Sequence, residues 1–191
     1  MNLEREIIVY KDSYKLREKI NLSEIKEEII KKKKGKFLIL DEEIFIKEIK
    51  YIKVKNIEDY VEQEIKKEFN TEDYLFHYVV DKKEEKIIVY AIKGLNKINP
   101  FIKYVKKLSI LPIQFRLAKL IMNNLKDKTF KSLICIEGVY YYIEVNNGNI
   151  IENNIVSDRN MLEIEENTIF GKFEYPFSKN ELVLEKGEIN E

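Results

Sequence analysis

Residues 36–49, KFLILDEEIFIKEI, decide the fold of this protein. Residues 37–40 are wholly apolar, which is typical of a strand that is buried on both faces. The acidic residues 41–43 follow as a polar turn. From Ile44 onward apolar residues alternate with Lys and Glu, as in a strand with one solvent-facing side. The alternation slips by one residue before Ile49, which predicts a β-bulge.

The segment before this stretch predicts a hairpin and a helix. Residues 6–10 form the first strand, and residues 14–20 pair with it through a turn at Asp12-Ser13. Asn21 with Glu24 three residues later is a helix-starting pattern. We expect this helix to end in the basic run of residues 31–34, with Gly35 in the terminating position.

The segment after it alternates helices with strands. Asn56 opens an amphipathic helix over 57–69, and residues 74–80 and 87–92 predict a hairpin with a polar connection. Asn99-Pro100 predicts the start of the next helix, with Phe101, Ile102, Val105 and Leu108 inward. A strand over 111–115 and a helix over 117–125 follow.

The last third predicts mostly strands. These are residues 131–137, 140–145 and 150–156, and Asn147-Gly148 is the clearest turn signal because a tight hairpin needs positive φ at both positions. The acid-leaning stretch from Asp158 carries weaker strand signals at 168–173 and 181–184. The fold class predicted from this order is α/β, with segregated α+β parts.

Composition narrows the class of protein. Hydrophobic residues are 45% of the 191 and charged residues 36%, which is typical of a folded globular chain. Lys plus Arg and Asp plus Glu are both 34, so no overall basic excess indicates a nucleic-acid binder. Cys135 is the only cysteine, which excludes an intramolecular disulfide. With no signal-peptide pattern and no apolar run of about 18 residues, we expect a cytoplasmic protein.

The sequence contains no recognisable motif for a catalytic, cofactor or metal site. The six glycines are scattered, so no phosphate-binding loop forms, and one histidine with one cysteine makes a His/Cys metal site improbable. We interpret His77 as structural or surface-exposed and Cys135 as a small core residue. The carboxylate pairs are interpreted as solvated turn charges that splay apart; they are Glu42-Glu43, Glu84-Glu85 and Glu165-Glu166.

The basic run at residues 31–34 has two interpretations. Lysines at the end of a helix complement the negative end of its dipole, which is the favoured interpretation. The alternative is contact with an anionic membrane face, to which each nearby lysine contributes about 1 kcal/mol.

The order of segments from residue 37 to residue 156 resembles the PilM/GspL family, the actin-like cytoplasmic assembly proteins of type IV pilus and type II secretion systems. The likeness lies in strand 36–40 with its acidic turn, strand 44–49, helix 57–69 and hairpin 72–92, followed by helix 100–108, residues 109–112, helix 117–125 and strands 133–156. The resemblance implies an actin-like (ribonuclease H-like) first lobe from residues 1–40 and 95–130. It also implies an inserted β-α-β-β subdomain at 41–94, and a partial, truncated second lobe with an acidic tail at 131–191.

The resemblance implies a scaffold more than an enzyme. Nucleotide-binding members carry a glycine-bearing acidic turn after the first strand, whereas residues 9–14 here contain no glycine. The second turn keeps Glu137 and Gly138 but is followed by the bulky residues 140–142. We therefore expect a non-enzymatic scaffold of a pilus, competence or type II secretion platform at the inner face of the bacterial cytoplasmic membrane, with no cofactor.

The implied partner is the cytoplasmic tail of a bitopic membrane protein, and some members of the family also contact the assembly ATPase. A hydrophobic groove for an extended or helical peptide is the expected physical basis. Two alternatives stay open, namely a divergent actin-like ATPase of the same system and an unrelated α+β protein-interaction module.

Overall fold

The structure is a computed structural model that describes residues 6–15, 21–32, 34–69, 73–173 and 182–185. The helices are α1 (Leu22–Lys32), α2 (Ile57–Lys66), α3 (Leu95–Ile102) and α4 (Ile113–Leu125), with a short 3-10 turn at Arg159–Met161. The strands are β1 (Ile7–Val9), β2 (Tyr14–Lys15), β3 (Lys34–Ile39), β4 (Ile44–Lys50), β5 (Tyr74–Asp81), β6 (Lys86–Lys93), β7 (Lys107–Pro112), β8 (Phe130–Ile136), β9 (Val139–Asn146), β10 (Asn149–Val156), β11 (Ile169–Phe173) and β12 (Val183–Glu185).

The first sheet has the strand order β2-β1-β3-β7. β1 and β2 are antiparallel, whereas β3 is parallel to both β1 and β7. The first sheet is thus a hairpin that is followed, through helices, by two parallel strands. The α/β fold class predicted from the sequence is confirmed.

The second sheet, β4-β6-β5, is antiparallel and is covered on both faces. Ile88, Tyr90 and Ile92 of β6 pack into the main core, while Ile87 and Val89 pack on the other face against α2. The predicted bulge in β4 is wrong, because β4 pairs with β6 without a break. The phase slip in the sequence instead records that β4 contributes apolar side chains to both faces.

The third sheet has the order β10-β9-β8-β11-β12. β8, β9 and β10 are consecutive antiparallel strands, and β11 returns parallel to β8. Asn147 and Gly148 have φ values of 50° and 83°, which confirms the predicted tight turn.

Two local predictions are wrong. Gly35 does not end α1 but lies inside β3, where an added Cβ would meet the Phe37 ring at 2.7 Å and Val105 at 3.1 Å. The helix predicted from Asn99-Pro100 begins earlier, at Leu95, and contains Pro100 in its interior. Its buried residues are Ile98 and Phe101.

The same shift moves the next elements. Val105 lies in the connection after α3, and Leu108 lies in β7, because residues 107–112 pair with β3. The strand predicted over 111–115 therefore ends at Pro112, and α4 begins at Ile113. The second strand predicted at 14–20 is confirmed at Tyr14–Lys15, and its remainder lies outside the described residues. The division into domains stays a prediction.

Four consecutive residues, Asp41 to Ile44, connect the first sheet to the second and are called the junction here. At its start, Asp41 has a φ of 58° and its carboxylate accepts a hydrogen bond from Tyr141 Oη at 2.8 Å. At its end, Ile44 N donates to Asn153 Oδ1 at 2.9 Å and Asn153 Nδ2 donates to Ile44 O at 2.7 Å. Tyr141 and Asn153 belong to the third sheet, so the junction joins all three sheets.

The two middle residues of the junction are also held. Lys97 Nζ lies 2.6 Å from Glu42 Oε1, and Gln114 Nε2 donates to Glu42 O at 2.7 Å. Glu43 Oε1 accepts from the backbone of Ile155 at 3.2 Å. Elements α3, α4 and β10 therefore each contact the junction through a different group.

Replacing Asn153 tests the junction. The substitution Asn153→Ala removes both partners of the buried Ile44 backbone groups, and unsatisfied buried polar groups cost about 1–3 kcal/mol each. We expect the free energy of unfolding to fall by about 2–4 kcal/mol in a urea titration. The matched control is Asn154→Ala, a half-exposed neighbour, which should change it by less than about 0.5 kcal/mol. Equal losses in the two variants would contradict the assignment.

Candidate functional site

An apolar groove of about 360 Å³ lies between the first and second sheets. Its volume is in the range of pockets that hold small ligands or short peptide segments. The walls come from β5 and β7, and the floor comes from β4, β6 and α4. The lining residues are Ile44, Leu75, Phe76, His77, Tyr90, Ile92, Ile110, Leu111, Pro112 and Phe115.

Both walls of the groove are edge strands. Among the described residues, β7 pairs only with β3 and β5 pairs only with β6. An edge strand presents backbone N–H and C=O groups that a further strand can pair with. The groove therefore offers hydrogen-bonding backbone at its sides as well as apolar side chains at its floor.

Three mutually packed rings shape the groove where the β5 wall meets the floor. His77 lies parallel to Tyr90 with ring centroids 6.1 Å apart, and Phe115 meets Tyr90 edge-on at 5.0 Å. Phe115 also meets His77 edge-on at 5.9 Å. Mutually packed aromatic rings lose little conformational freedom when a ligand binds, so this floor is formed before any ligand arrives.

Apolar side chains remain reachable from solvent at the β7 wall. Leu111 is 38% exposed, and Ile110 beside it is half-buried. Pro112 ends β7 and carries no N–H, so the strand stops there and α4 begins with Ile113. The exposed wall is thus a short apolar strand end rather than a scattered surface leucine.

The two turns that the sequence resemblance matches to phosphate-binding turns of the PilM/GspL family contact each other directly. The first turn closes with a hydrogen bond from Tyr10 N to Ser13 O at 2.9 Å, and the second contains Glu137 and Gly138 in positive φ. Tyr10 Oη donates to Glu137 Oε2 at 3.0 Å, and Lys15 Nζ lies 3.7 Å from Glu137 Oε1. Side chains of the protein itself bridge the two turns.

Further polar contacts lie behind these turns. Tyr141 is 1% exposed, and burial followed by the neighbouring Asp41 carboxylate raises the pKa of its hydroxyl far above the ordinary value. Lys97 Nζ reaches Tyr10 O at 3.3 Å in addition to its ion pair with Glu42. The space between the turns is therefore bordered by paired groups with their hydrogen bonds directed at each other.

The single histidine and the single cysteine of the chain lie in different environments. His77 is exposed on β5 and contributes to the groove, although no sequence motif marks it. Cys135 is a free thiol on β8 and is half-buried, because it alternates with the fully buried Ile134 and Ile136. It is therefore not the core residue that the sequence predicts.

The predicted solvation of the carboxylate pairs is not met by all of them, and Glu42 and Glu43 have different partners. Glu42 is buried enough to form its ion pair with Lys97 at 18% side-chain exposure, which corrects the prediction for this residue. Glu84 and Glu85 are exposed, and Glu165 pairs with Lys131. Within the described residues, no three His, Cys, Asp or Glu side chains converge as metal ligands.

The groove itself was not placed by the sequence. The signal available was Pro112 after an apolar run, which marks an edge strand or a strand end. Tyr90 and Phe115 look like ordinary core residues in the sequence, and only the tertiary packing of α4 beside β6 brings their rings together. No helix in the described ranges is long and apolar enough to span a membrane.

Comparison with known proteins gives partial likenesses. No protein-family model and no curated protein matches this sequence. One similar solved structure is described as a PilM-PilN type IV pilus biogenesis complex, with 11% identity and a TM-score of 0.49. That match covers 71% of this chain and 47% of the other, so this chain spans about half its length.

A second similar structure is a Bacteroides thetaiotaomicron protein with an actin-like ATPase fold and unknown function. The identity is 10% and the TM-score 0.37, and the match covers 79% of this chain and 68% of that chain. Family membership does not follow from likenesses of this size.

The buried hydroxyl of Tyr90 makes the free energy of unfolding depend on pH in the alkaline range. Burial raises its pKa to about 12, and a hydrogen bond with the Ile150 backbone opposes the shift. Its hydroxyl keeps its proton in the folded state between about pH 10 and 12, while the unfolded chain loses it. The contribution of the protonated Tyr90 hydroxyl to the free energy of unfolding is thus complete below about pH 10, and it is lost as the pH rises through about 12.

We expect the free energy of unfolding to fall by about 2–3 kcal/mol over this interval from Tyr90 alone. The measurement is urea unfolding at closely spaced pH values. Tyr90→Phe should flatten the decline relative to wild type, whereas Tyr78→Phe, on the same sheet, should leave it in place. An unchanged decline in Tyr90→Phe would contradict the assignment.

Proposed function

We propose that this protein is a non-enzymatic scaffold of a type IV pilus, competence or type II secretion platform. It holds the cytoplasmic tail of a bitopic membrane protein in the apolar groove between β5 and β7. The observation that supports this function is the groove itself, which combines a preformed aromatic floor with two strand edges that have no further strand beside them among the described residues. The PilM/GspL-like order of segments supplies the class of partner.

The groove suits an extended peptide. A strand added beside β7 would pair with its free backbone edge, and alternate side chains of the peptide would enter the groove. The reachable apolar wall at Leu111 and the ring of Phe115 would bury side chains of the peptide, at about 25 cal/mol for each Å² removed from water. In this mode the backbone supplies affinity and the floor supplies selectivity.

The non-enzymatic part of the proposal rests on the two turns. Where nucleotide-binding members of the PilM/GspL family carry a glycine-bearing turn, residues 9–14 of this chain contain no glycine, and the Tyr10 hydroxyl in this turn is bonded to Glu137. A phosphate there would have to displace this contact and would meet the Glu137 carboxylate. Binding at the same place would therefore be opposed by both shape and charge.

The peptide site is tested with the cytoplasmic tail of the bitopic membrane protein encoded beside this gene. Leu111→Glu introduces a charge into the apolar wall, and desolvating that charge should weaken tail binding at least about tenfold by isothermal titration calorimetry. The matched control is Ile52→Glu, because Ile52 is 39% exposed against 38% for Leu111 and lies outside the groove.

The control variant should bind the tail within about twofold of the wild type. Equal weakening in both variants would remove the groove from the proposal. A tail that binds neither wild type nor variants, when every platform component has been tried, would remove the scaffold function.

The nucleotide proposal is tested by titration calorimetry with Mg-ATP. We expect no binding heat at millimolar nucleotide, because the Tyr10–Glu137 contact occupies the approach to the turns. Tyr10→Gly is the informative variant, since it removes that contact and introduces a glycine into the first turn. Saturable heat with the wild-type protein would contradict the proposal and favour the divergent ATPase.

A further inference from the structure

Charge is strongly segregated in a protein that has no net charge. Residues 86–126 contain nine lysines and arginines and no aspartate or glutamate, and residues 29–40 contain five lysines and no acid. An acid-containing segment separates these two stretches in the sequence. The fold brings them together, because β3 lies in residues 29–40, β7 lies in residues 86–126, and the two strands are paired.

The pairing concentrates lysines at one end of the first sheet. Lys34 is directly opposite Lys107 in the parallel register, and Lys36 is opposite Ser109. Side chains two residues apart on one strand and directly opposite on the next share a face, so Lys34, Lys36 and Lys107 lie on the same face. All three are exposed.

The connection from α3 into β7 adds two further lysines at this end. Val105 lies against Gly35 of β3, since a Cβ on that glycine would meet Val105 Cγ1 at 3.1 Å. This contact holds the flanking Lys103 and Lys106, both exposed, beside the start of β3. Lys34, Lys36 and Lys107 on one face of this end of the sheet, together with Lys103 and Lys106 of the connection that packs on the other face, are called the basic end here.

The charges of the basic end are not neutralised within the described residues. None of its five lysines forms an ion pair there with an acidic side chain. Like charges directly opposite on neighbouring strands are destabilising, so the Lys34–Lys107 pair opposes folding. An anionic surface that contacts both would relieve this repulsion.

Apolar side chains are exposed among these lysines. Ile102, beside Lys103, is 42% exposed, and Leu108 is 36% exposed on the sheet face of Gly35 and Val105, opposite to the face of Lys107. Lysines interleaved with exposed aliphatic residues suit the boundary between lipid headgroups and acyl chains. A phosphate backbone would use the lysines but would leave these side chains without an apolar partner.

We propose that the basic end docks on an anionic phospholipid bilayer. The lysines contact the headgroups, and Leu108 and Ile102 enter the boundary with the acyl chains. This contact is additional to the capture of a protein tail and does not depend on it. Lys107 and Leu111 are four residues apart on β7, about 13 Å, so a docked basic end would hold the groove close to the bilayer.

Vesicle co-sedimentation tests this proposal on the intact chain. The probes are vesicles of phosphatidylcholine alone and of phosphatidylcholine with about 30% phosphatidylglycerol. We expect binding to the anionic vesicles and not to the neutral ones, and loss of binding when salt rises from about 0.1 M to about 0.5 M. The variant K34Q/K36Q/K107Q should bind about a hundredfold more weakly.

A matched control removes the same net charge elsewhere. K53Q/K82Q/K83Q replaces three exposed lysines outside the basic end and should bind within about threefold of wild type. K103Q/K106Q serves as a second variant of the patch, should weaken binding by at least about tenfold, and keeps the test open if the triple variant does not fold by circular dichroism.

Three results would overturn the proposal. One is equal binding to neutral and anionic vesicles, or to neither. Another is equal weakening in the patch variants and in the control, which would indicate net charge alone. The third is tight binding of duplex DNA that depends on the same lysines in the absence of vesicle binding, which would assign the basic end to nucleic acid.

Discussion

The pair of hydrogen bonds between Asn153 and the backbone of Ile44 holds the second sheet to the third, and the rest of the architecture depends on it. An amide side chain that donates to a carbonyl and accepts from an N–H of the same residue imitates a strand partner. Both groups of Ile44 are taken out of water, so they need this partner or an equivalent one. The contact therefore stabilises the fold and also selects this packing of the sheets, because an alternative packing would leave buried polar groups unpaired.

The groove shares a residue with that same contact. Ile44 ends the junction and also lines the groove, so the residue that anchors the second sheet to the third is part of the groove. The aromatic floor comes from β6 and α4, which belong to different parts of the fold, and His77 of the β5 wall packs on it. The mutual packing of these rings is a physical reason to expect the groove to persist without a ligand.

Acidic and basic residues are equal in number in this protein, but they are distributed unevenly along the chain. Near the junction and the turns, acidic side chains are partners of Lys97, of Tyr10 and of the Ile155 backbone N–H. Many bases lie in the acid-free stretches and meet across β3 and β7. The equal totals of acidic and basic residues hide this segregation, and a composition-based exclusion of anionic partners is therefore too broad. The register of one parallel strand pair converts two separate runs of lysine into one surface.

The sequence by itself determined the elements whose signals are local. The Asn147-Gly148 turn, the Asn56 cap of α2 and the β5–β6 hairpin follow from positive φ, a side-chain acceptor and alternation, and each is present as predicted. Predictions failed between Leu95 and Phe115, where Val105 and Leu108 have helical spacing but the long-range pairing with β3 makes residues 107–112 a strand. Only the tertiary structure decided the groove, the bridge between Tyr10 and Glu137, and the basic end. Each joins residues that are far apart in the chain, and the free energy that brings them together comes from burying distant apolar faces, which no short window of sequence contains.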